Sequence, residues 1–378
     1  MGEWLRLRDG YPEWTSESVN TEVLVNTPGR ALLGEELLGA VASARRSVIA
    51  INPLLTDSRM LNALIGARKR GVRIKIITEL RDNRKKGVKY PTRGFEAENP
   101  TNLQKHFENI RALVQEGILC RGLQHYAHGK ALIVDDQQLV LSSVNWTENS
   151  LGWGRQPSLE AGIFIHERAV VTAWSKALGS LWNCCPFRLH SLDGDVSLQQ
   201  APSCQFNTSV LERQCRENVQ MSWSYPTDHY GIRDQLVHAL RSARKSVVIC
   251  ALSFYRSQEI SILHDELEEA LTRGVTITVV VRPEEFSLDK YPDPSTRGLL
   301  ARGLRLRGVE TLHAKGILVD NSICGIFSAN VNPYSLQNRE ESAHVECALF
   351  AYGGDPLLSR YGRFLEQLNQ QATHEYRS

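Results

Sequence analysis

Eight polar residues stand in this chain as two matched sets of four. His128 and Lys130 open the string His128-Gly-Lys-Ala-Leu-Ile-Val-Asp135, and His313 and Lys315 open His313-Ala-Lys-Gly-Ile-Leu-Val-Asp320. Ser143 and Asn145 follow His128 by 15 and 17 positions, and Ser328 and Asn330 follow His313 by the same intervals. A carboxylate recurs after each set, as Glu160 in Leu-Glu-Ala-Gly-Ile-Phe and Glu346 in Val-Glu-Cys-Ala-Leu-Phe. One active-site half-set is written twice. A single site at a pseudo-twofold interface within one chain is expected, so no oligomer is required.

In a strand, residues two apart share a face, so His128 points with Lys130, and Ser143 points with Asn145 after the Asp135-Asp136 turn. The same holds for His313, Lys315, Ser328 and Asn330. A lone histidine on an apolar strand is usually a satisfied core residue; two with the same companions argue for chemistry. Histidine titrates near neutrality, and lysine is a compact cation suited to an anionic oxygen. With an amide and a hydroxyl added, the set suits a phosphate. One neutral imidazole can attack phosphorus while the other, protonated, donates to the leaving oxygen, and water then releases a phosphohistidine. Lys130, Lys315, Ser143, Ser328, Asn145 and Asn330 are the expected phosphate ligands. The scheme needs no metal and no cofactor, and the sequence has no H-E-x-x-H, EF-hand or P-loop pattern. Asp135-Asp136 reads as turn chemistry rather than a magnesium site.

Positioning these residues requires helices and strands in alternation. Glu35 to Arg46 has helical apolar spacing and Ser47-Val-Ile-Ala-Ile reads as a buried strand; Leu61 to Arg70 and Val72 to Thr78 repeat the pair. The second half follows suit, with Arg233 to Lys245, Ser246 to Leu252, Leu263 to Thr272 and Val275 to Val281. The fold class is therefore α/β, each half carrying a buried mixed or parallel sheet. The expected division is a lobe over 1–190, an irregular polar linker over 191–227 and a lobe over 228–378. The first half carries extra residues before its motif, including a polar helical stretch from Asn102 to Glu116. Two loops also echo one another, Lys89-Tyr90-Pro91 with Arg93 and Lys290-Tyr291-Pro292 with Arg297. They fit turn chemistry and a substrate-facing role equally well.

The 378 residues suffice for two ordinary domains, and the net charge of +2 gives no bulk attraction to nucleic acid or membrane. Local runs could supply it: Arg68-Lys69-Arg70, Arg81 to Lys89, and Arg302, Arg305 and Arg307, with Trp146, Trp153, Tyr90 and Tyr291 for base stacking. Cys120, Cys250, Cys324 and Cys347 read as small buried hydrophobes. Cys184, Cys185, Cys204 and Cys215 cluster in the middle segment, where a disulfide or zinc site is conceivable but matches no standard spacing. No run approaches the ~20 apolar residues of a membrane span, and the start lacks a signal-peptide core. A cytoplasmic protein without stable membrane insertion is expected.

The doubled H-x-K-x-x-x-x-D with its S-x-N resembles the signature of the phospholipase D superfamily, over about residues 30–185 and 228–368. That resemblance implies a metal-independent phosphodiester-cleaving enzyme, two α/β/α sandwich lobes and one shared active site. It implies His128 as nucleophile, His313 as general acid, Lys130, Lys315, Asn145 and Asn330 as phosphate ligands, and Glu160 and Glu346 as orienting carboxylates. Asp135 and Asp320 take a structural part. Ser142 and Phe327 depart from the signature, which has glycine there. Ser143-Val-Asn-Trp-Thr-Glu-Asn-Ser150 is similar to a string of the nuclease-like branch. A nucleic acid with single-stranded or flexible ends is thus the first expected substrate, and phospholipid cleavage or phosphatidyl transfer the alternative. A non-catalytic nucleic-acid-binding module is a third reading, opposed by the intact motifs.

Overall fold

The computed structural model describes residues 3–8, 22–27, 29–80, 100–202, 207–226, 229–283, 292–336 and 343–377. Its two sheets share one strand order. The first runs Leu119–Gly122, Arg73–Ile77, Ser47–Ile51, Ala131–Val134, Gln138–Ser142, Glu160–Ile165, Glu22–Thr27. The second runs Arg305–Gly308, Thr276–Val281, Ser246–Cys250, Gly316–Val319, Ile323–Phe327, His344–Ala351, Val219–Tyr225. In each, the first three strands are parallel, joined by helices, and the rest are antiparallel. The parallel strands are apolar on both faces because helices cover them, as in Thr276–Val281, where every residue after Thr276 is buried. The expected two-lobed α/β architecture is what forms.

Short turns place the motifs. After Ala131–Val134 the chain reverses through Asp135 and Asp136, both at positive φ, and after Gly316–Val319 through Asp320 and Asn321 likewise. Asp and Asn tolerate this left-handed backbone better than most residues. The carboxylate of Asp135 accepts from the backbone N–H groups of Arg45, Arg46 and Ser47. Asp320 does the same for Arg244, Lys245 and Ser246. Partial burial works to raise both pKa values, but the three N–H donors outweigh it and hold each carboxyl below its ordinary range. The motif aspartates therefore pin each hairpin to the strand it packs beside.

Helices Arg168–Cys184 and Pro356–Gln370 are buried between the lobes, in a core that draws on both. Trp174 of the first helix meets Trp223 of Val219–Tyr225 with ring centroids 5.1 Å apart. Such a pair adds about 0.5–1.5 kcal/mol beyond area burial. Among the described residues, the outer faces carry Leu32–Ser43, Ser58–Lys69, Gly231–Ser242 and Ser261–Thr272 over separate cores. The extra residues of the first half form helix Pro100–Gln115, as their spacing suggests.

The linker expectation needs correction. Phe187–Leu192 and Asp195–Gln200 form a hairpin that extends the first sheet, and Arg213–Arg216 and Val219–Tyr225 belong to the second. Their polar composition suits exposed edge strands, and Asp195–Gln200 is exposed along most of its length. The first lobe also does not extend over all of 1–190, since Glu3–Arg6 pairs with His374–Arg377 of the second sheet. Of the middle cysteines, Cys184 is disulfide-bonded while Cys185 and Cys215 are free thiols. Among the described residues no helix is long and apolar enough to cross a membrane.

Candidate active site

The segments that precede the two motifs cross from one lobe to the other. Tyr126–Ala127 pairs in parallel with His344 and Val345 of the opposite sheet. Leu312 makes the matching bridge with Leu159, reinforced by hydrogen bonds from His313 N and Ala314 N to Leu159 O. Each motif histidine is thereby delivered to the other lobe's carboxylate. His128 Nδ1 lies 2.7 Å from Glu346 Oε1, and His313 Nδ1 lies 2.7 Å from Glu160 Oε1. With Nδ1–H donating to carboxylate, Nε2 is the nitrogen left for a substrate.

Glu160 and Glu346 are fully buried and held from behind. Ser143 Oγ donates to Glu160 Oε2, and Ser328 Oγ donates to Glu346 Oε2 at 2.5 Å. Ser335 Oγ adds a bond to Glu346 Oε1 at 2.8 Å. The serines expected to bind phosphate thus hold the carboxylates instead; a hydroxyl has one proton, and the charged oxygen takes it.

Lys130 and Lys315 are buried as well. Lys130 Nζ donates to His128 O at 2.8 Å, and Lys315 Nζ donates to His313 O at 2.7 Å, which fixes each ammonium beside its own histidine. Burial, with Lys130 nearby, pulls Lys315 down to about 7 against the pull of Glu160. Burial pushes Glu160 up to about 7, opposed by Lys315 and the Ser143 hydrogen bond. Glu346 is also desolvated, yet its imidazole neighbours outweigh burial and hold it well below the usual carboxylate range. Burial draws His128 down to about 3 in spite of Glu346, so its ring is neutral at ordinary pH. Asn330 follows the second motif with a buried Oδ1 that has no hydrogen-bond partner among the described residues. Its amide can turn to offer N–H to an anion. Asn145 occupies the equivalent buried place.

Two cross-lobe histidine–carboxylate pairs, each with a buried lysine beside its histidine and a buried asparagine on the following strand segment, now stand at the lobe interface. The sequence profile described as cardiolipin synthase, PLD-like domain matches residues 37–182 and 236–351, more than half of the chain and both half-sites. The chain belongs to the phospholipase D superfamily. It is an enzyme of that superfamily's phosphodiesterase type with two half-sites in one polypeptide. Among solved structures it is similar to phosphatidylserine synthase of Haemophilus influenzae Rd KW20, at 11% identity over 94% of this chain and 87% of that one, with a TM-score of 0.62. It is also similar to polyphosphate kinase from Porphyromonas gingivalis, at 14% identity over 92% of this chain and 50% of that one, TM-score 0.53. Nuc from Salmonella typhimurium, a phospholipase D family member, matches at 21% identity over 45% of this chain and 99% of that one, TM-score 0.36. No match to a curated protein was found by sequence. At these identities the structural likenesses speak for the fold alone.

This phospholipase D-like site differs from the expectations in several places. Trp146 is buried and pairs its backbone with Leu55, so it offers no stacking face; Trp153 is half-buried, donates Nε1–H to Asp57 and lies under the Arg59 guanidinium. The basic runs are engaged locally. Arg70 hydrogen-bonds the Ala42 carbonyl, Lys69 pairs with Glu116, Arg302 with Glu268 and Arg307 with Glu375. Arg81 to Lys89, and the Lys89-Tyr90 and Lys290-Tyr291 loop residues, lie outside the described residues. Phe327 stacks on Phe350 within its lobe's core, so the missing glycine costs the site no space.

Sequence reasoning missed His344. It sits two residues before Glu346 on one strand, hence on the same face, and its Nδ1 is 3.4 Å from Glu346 Oε1. Its ring centroid lies 5.1 Å from those of His128 and Tyr126, and Tyr334 stacks against it at 6.4 Å. At the equivalent place before Glu160 stands Ser158, whose Oγ is 3.5 Å from Arg282. Contrary to the expectation of no metal-ligating cluster, His128, His344 and Glu346 bring three ligand-type atoms within 4.8 Å of one another. The spacing was hidden because His128 joins from the other lobe.

Proposed function

We propose that the protein cleaves phosphodiesters in two displacements through a phosphohistidine on His128, without a metal in the reaction. The observation that carries this reading is the cross-lobe pairing of each histidine with a buried carboxylate through Nδ1, with Lys130 and Lys315 each held beside its own histidine; this leaves the chemistry to Nε2. Neutral His128 attacks phosphorus through the Nε2 lone pair, and the bond from phosphorus to the leaving oxygen breaks. Protonated His313 gives that oxygen its Nε2 proton. His313, now neutral, takes a proton from water; the hydroxide oxygen bonds phosphorus and the bond to His128 breaks. Lys130, Lys315 and the amides of Asn145 and Asn330 hold the non-bridging oxygens as charge grows, which lowers the barrier because they are already in place.

Nucleic acid with single-stranded or flexible ends is the first substrate class, supported by the likeness of Ser143 to Ser150 to the nuclease-like string. The match to a profile described as cardiolipin synthase, PLD-like domain favours the second reading, in which an alcohol replaces water and a phosphatidyl group is transferred. Labelled single-stranded DNA, duplex DNA, RNA and phospholipid vesicles, each in EDTA beside His128→Ala and His313→Ala, separate the two. Nucleic-acid cleavage lost in both variants supports the first; lipid turnover alone replaces it with the second. Activity that vanishes in EDTA overturns the metal-free mechanism for either substrate.

A further inference from the structure

We propose that His128, His344 and Glu346 form a binding site for a divalent transition-metal cation, zinc being the type, and that filling it switches the enzyme off. This goes beyond the proposed function, since it assigns a regulatory ligand to residues whose catalytic reading needs none. The donors are two imidazole nitrogens and a carboxylate oxygen, the mixed set that zinc takes with one position left open. Both imidazoles aim Nδ1 at the same oxygen, Glu346 Oε1, at 2.7 and 3.4 Å. Ligand atoms about 2.1 Å from a common centre at tetrahedral angles lie roughly 3.4 Å apart. The His344 pair already has that separation, and the His128 pair, at 2.7 Å, needs to open by about 0.7 Å.

Outer contacts hold the ligands for such an ion. Ser328 Oγ and Ser335 Oγ fix both carboxylate oxygens, and Tyr126 and Tyr334 pack on the imidazoles. Groups of this kind raise affinity by orienting ligands before the ion arrives. Lys130 and Lys315 oppose a further cation here, which places the expected affinity in the micromolar range rather than at the tightness of dedicated structural sites. The second half-site lacks the pattern, because Ser158 replaces the histidine and the Arg282 guanidinium stands beside it. One ion per chain is therefore expected.

Inhibition follows from the imidazole's two nitrogens. In the uncomplexed site, Nδ1–H of His128 donates to Glu346 and Nε2 keeps its lone pair. A metal on Nδ1 moves the ring proton to Nε2, the atom that must attack. No bond to the substrate can then form.

The test uses chelator-stripped full-length protein at neutral pH and zinc chloride, measured by competition against a chromogenic chelator, with cobalt(II) absorption as a second signal. Wild type binds one zinc per chain with micromolar Kd, activity falls with the same midpoint, and EDTA restores it. His344→Ser, which copies Ser158, weakens zinc binding at least about 100-fold, because losing a direct ligand costs no less than losing an outer-shell partner. His344→Asn serves as a second variant, and both are checked for native circular dichroism. Wild type that binds no zinc at tens of micromolar, or variants that bind it equally well, overturns the site. The binding measurement uses no substrate, so it stands or falls separately from the phosphodiesterase reading. Zinc bound at one per chain with activity undiminished overturns the inhibitory role.

Discussion

Each carboxylate holds two serine hydroxyls, but Glu346 collects two imidazoles and flanking phenol rings, whereas Glu160, bound by Ser143 and Ser150, has one imidazole, with Lys315 and the Arg282 side of the site around it. The strand order, the hairpins, the motif spacing and the crossing backbone bridges are the same in both halves. The difference therefore lies in the second layer, and it separates the electrostatics of two residues of one type. Desolvation among aromatic rings keeps His128 neutral, while Glu160 and Lys315 share a buried region where charge is nearly balanced. A duplicated frame supplies positions, and unequal neighbours supply roles.

The sharpest way to break this comparison is to remove each histidine and change the leaving group. His128→Ala and His313→Ala should each lose about 10⁴-fold of turnover on a natural diester, the upper range for acid–base or nucleophilic loss. On an aryl diester with a good leaving group the two should part. His313→Ala should give a stoichiometric burst of phenol and a phosphohistidine at residue 128 by mass spectrometry, since the acid is no longer needed for the first step. His128→Ala should give no burst; a burst in that variant would reverse the assignment.

A second cut falls on the carboxylates. Glu346→Gln should slow the burst by about 10²-fold or more, and Glu160→Gln should leave the burst on the aryl diester and slow release by a similar factor, in line with the cost of losing an orienting carboxylate. Stopped-flow traces resolve the two phases.

Smaller effects should come with pH. Lys315 loses its proton as pH rises past about 7, so phosphate affinity should fall above that point, read as a rising KM. Lys315→Arg keeps its charge and should move this limb up by at least about one unit. The stability trend has the opposite sign. The unfolded chain still holds this proton between about 7 and 10.5, so Lys315's contribution to stability grows with pH across that window. The smallest expected difference tests the frame itself. Asp135→Ala and Asp320→Ala each leave three backbone N–H groups without their acceptor and should cost about 1–3 kcal/mol by denaturant midpoint, equally in the two lobes.

Much of the fold was legible because its signals are local. Apolar period marked Ser47–Ile51 and Ser246–Cys250, and the interval from His128 to Asn145 implied a hairpin bringing both to one end of a strand pair. The linker was misread because Asp195–Gln200 is an exposed edge strand, whose polar alternation looks like loop. Ser143 and Ser328 were misassigned for another reason: a hydroxyl's partner depends on which buried charge lies nearest, and that charge is 17 or 18 residues away in the chain. The pairing of His128 with Glu346 is less local still. Two identical half-sets fit a within-lobe pairing and a crossed one equally well, and only the packed interface chooses.

The crossed wiring also sets a time at which activity can begin. The imidazole of His128 and the carboxylate that orients it are 218 residues apart in the chain. During synthesis the first lobe can fold with its histidine in place and still have nothing to aim it. Competence arrives only when the last major strand, His344–Ala351, has emerged and docked. A polypeptide that stops short of this strand lacks the carboxylate that orients His128.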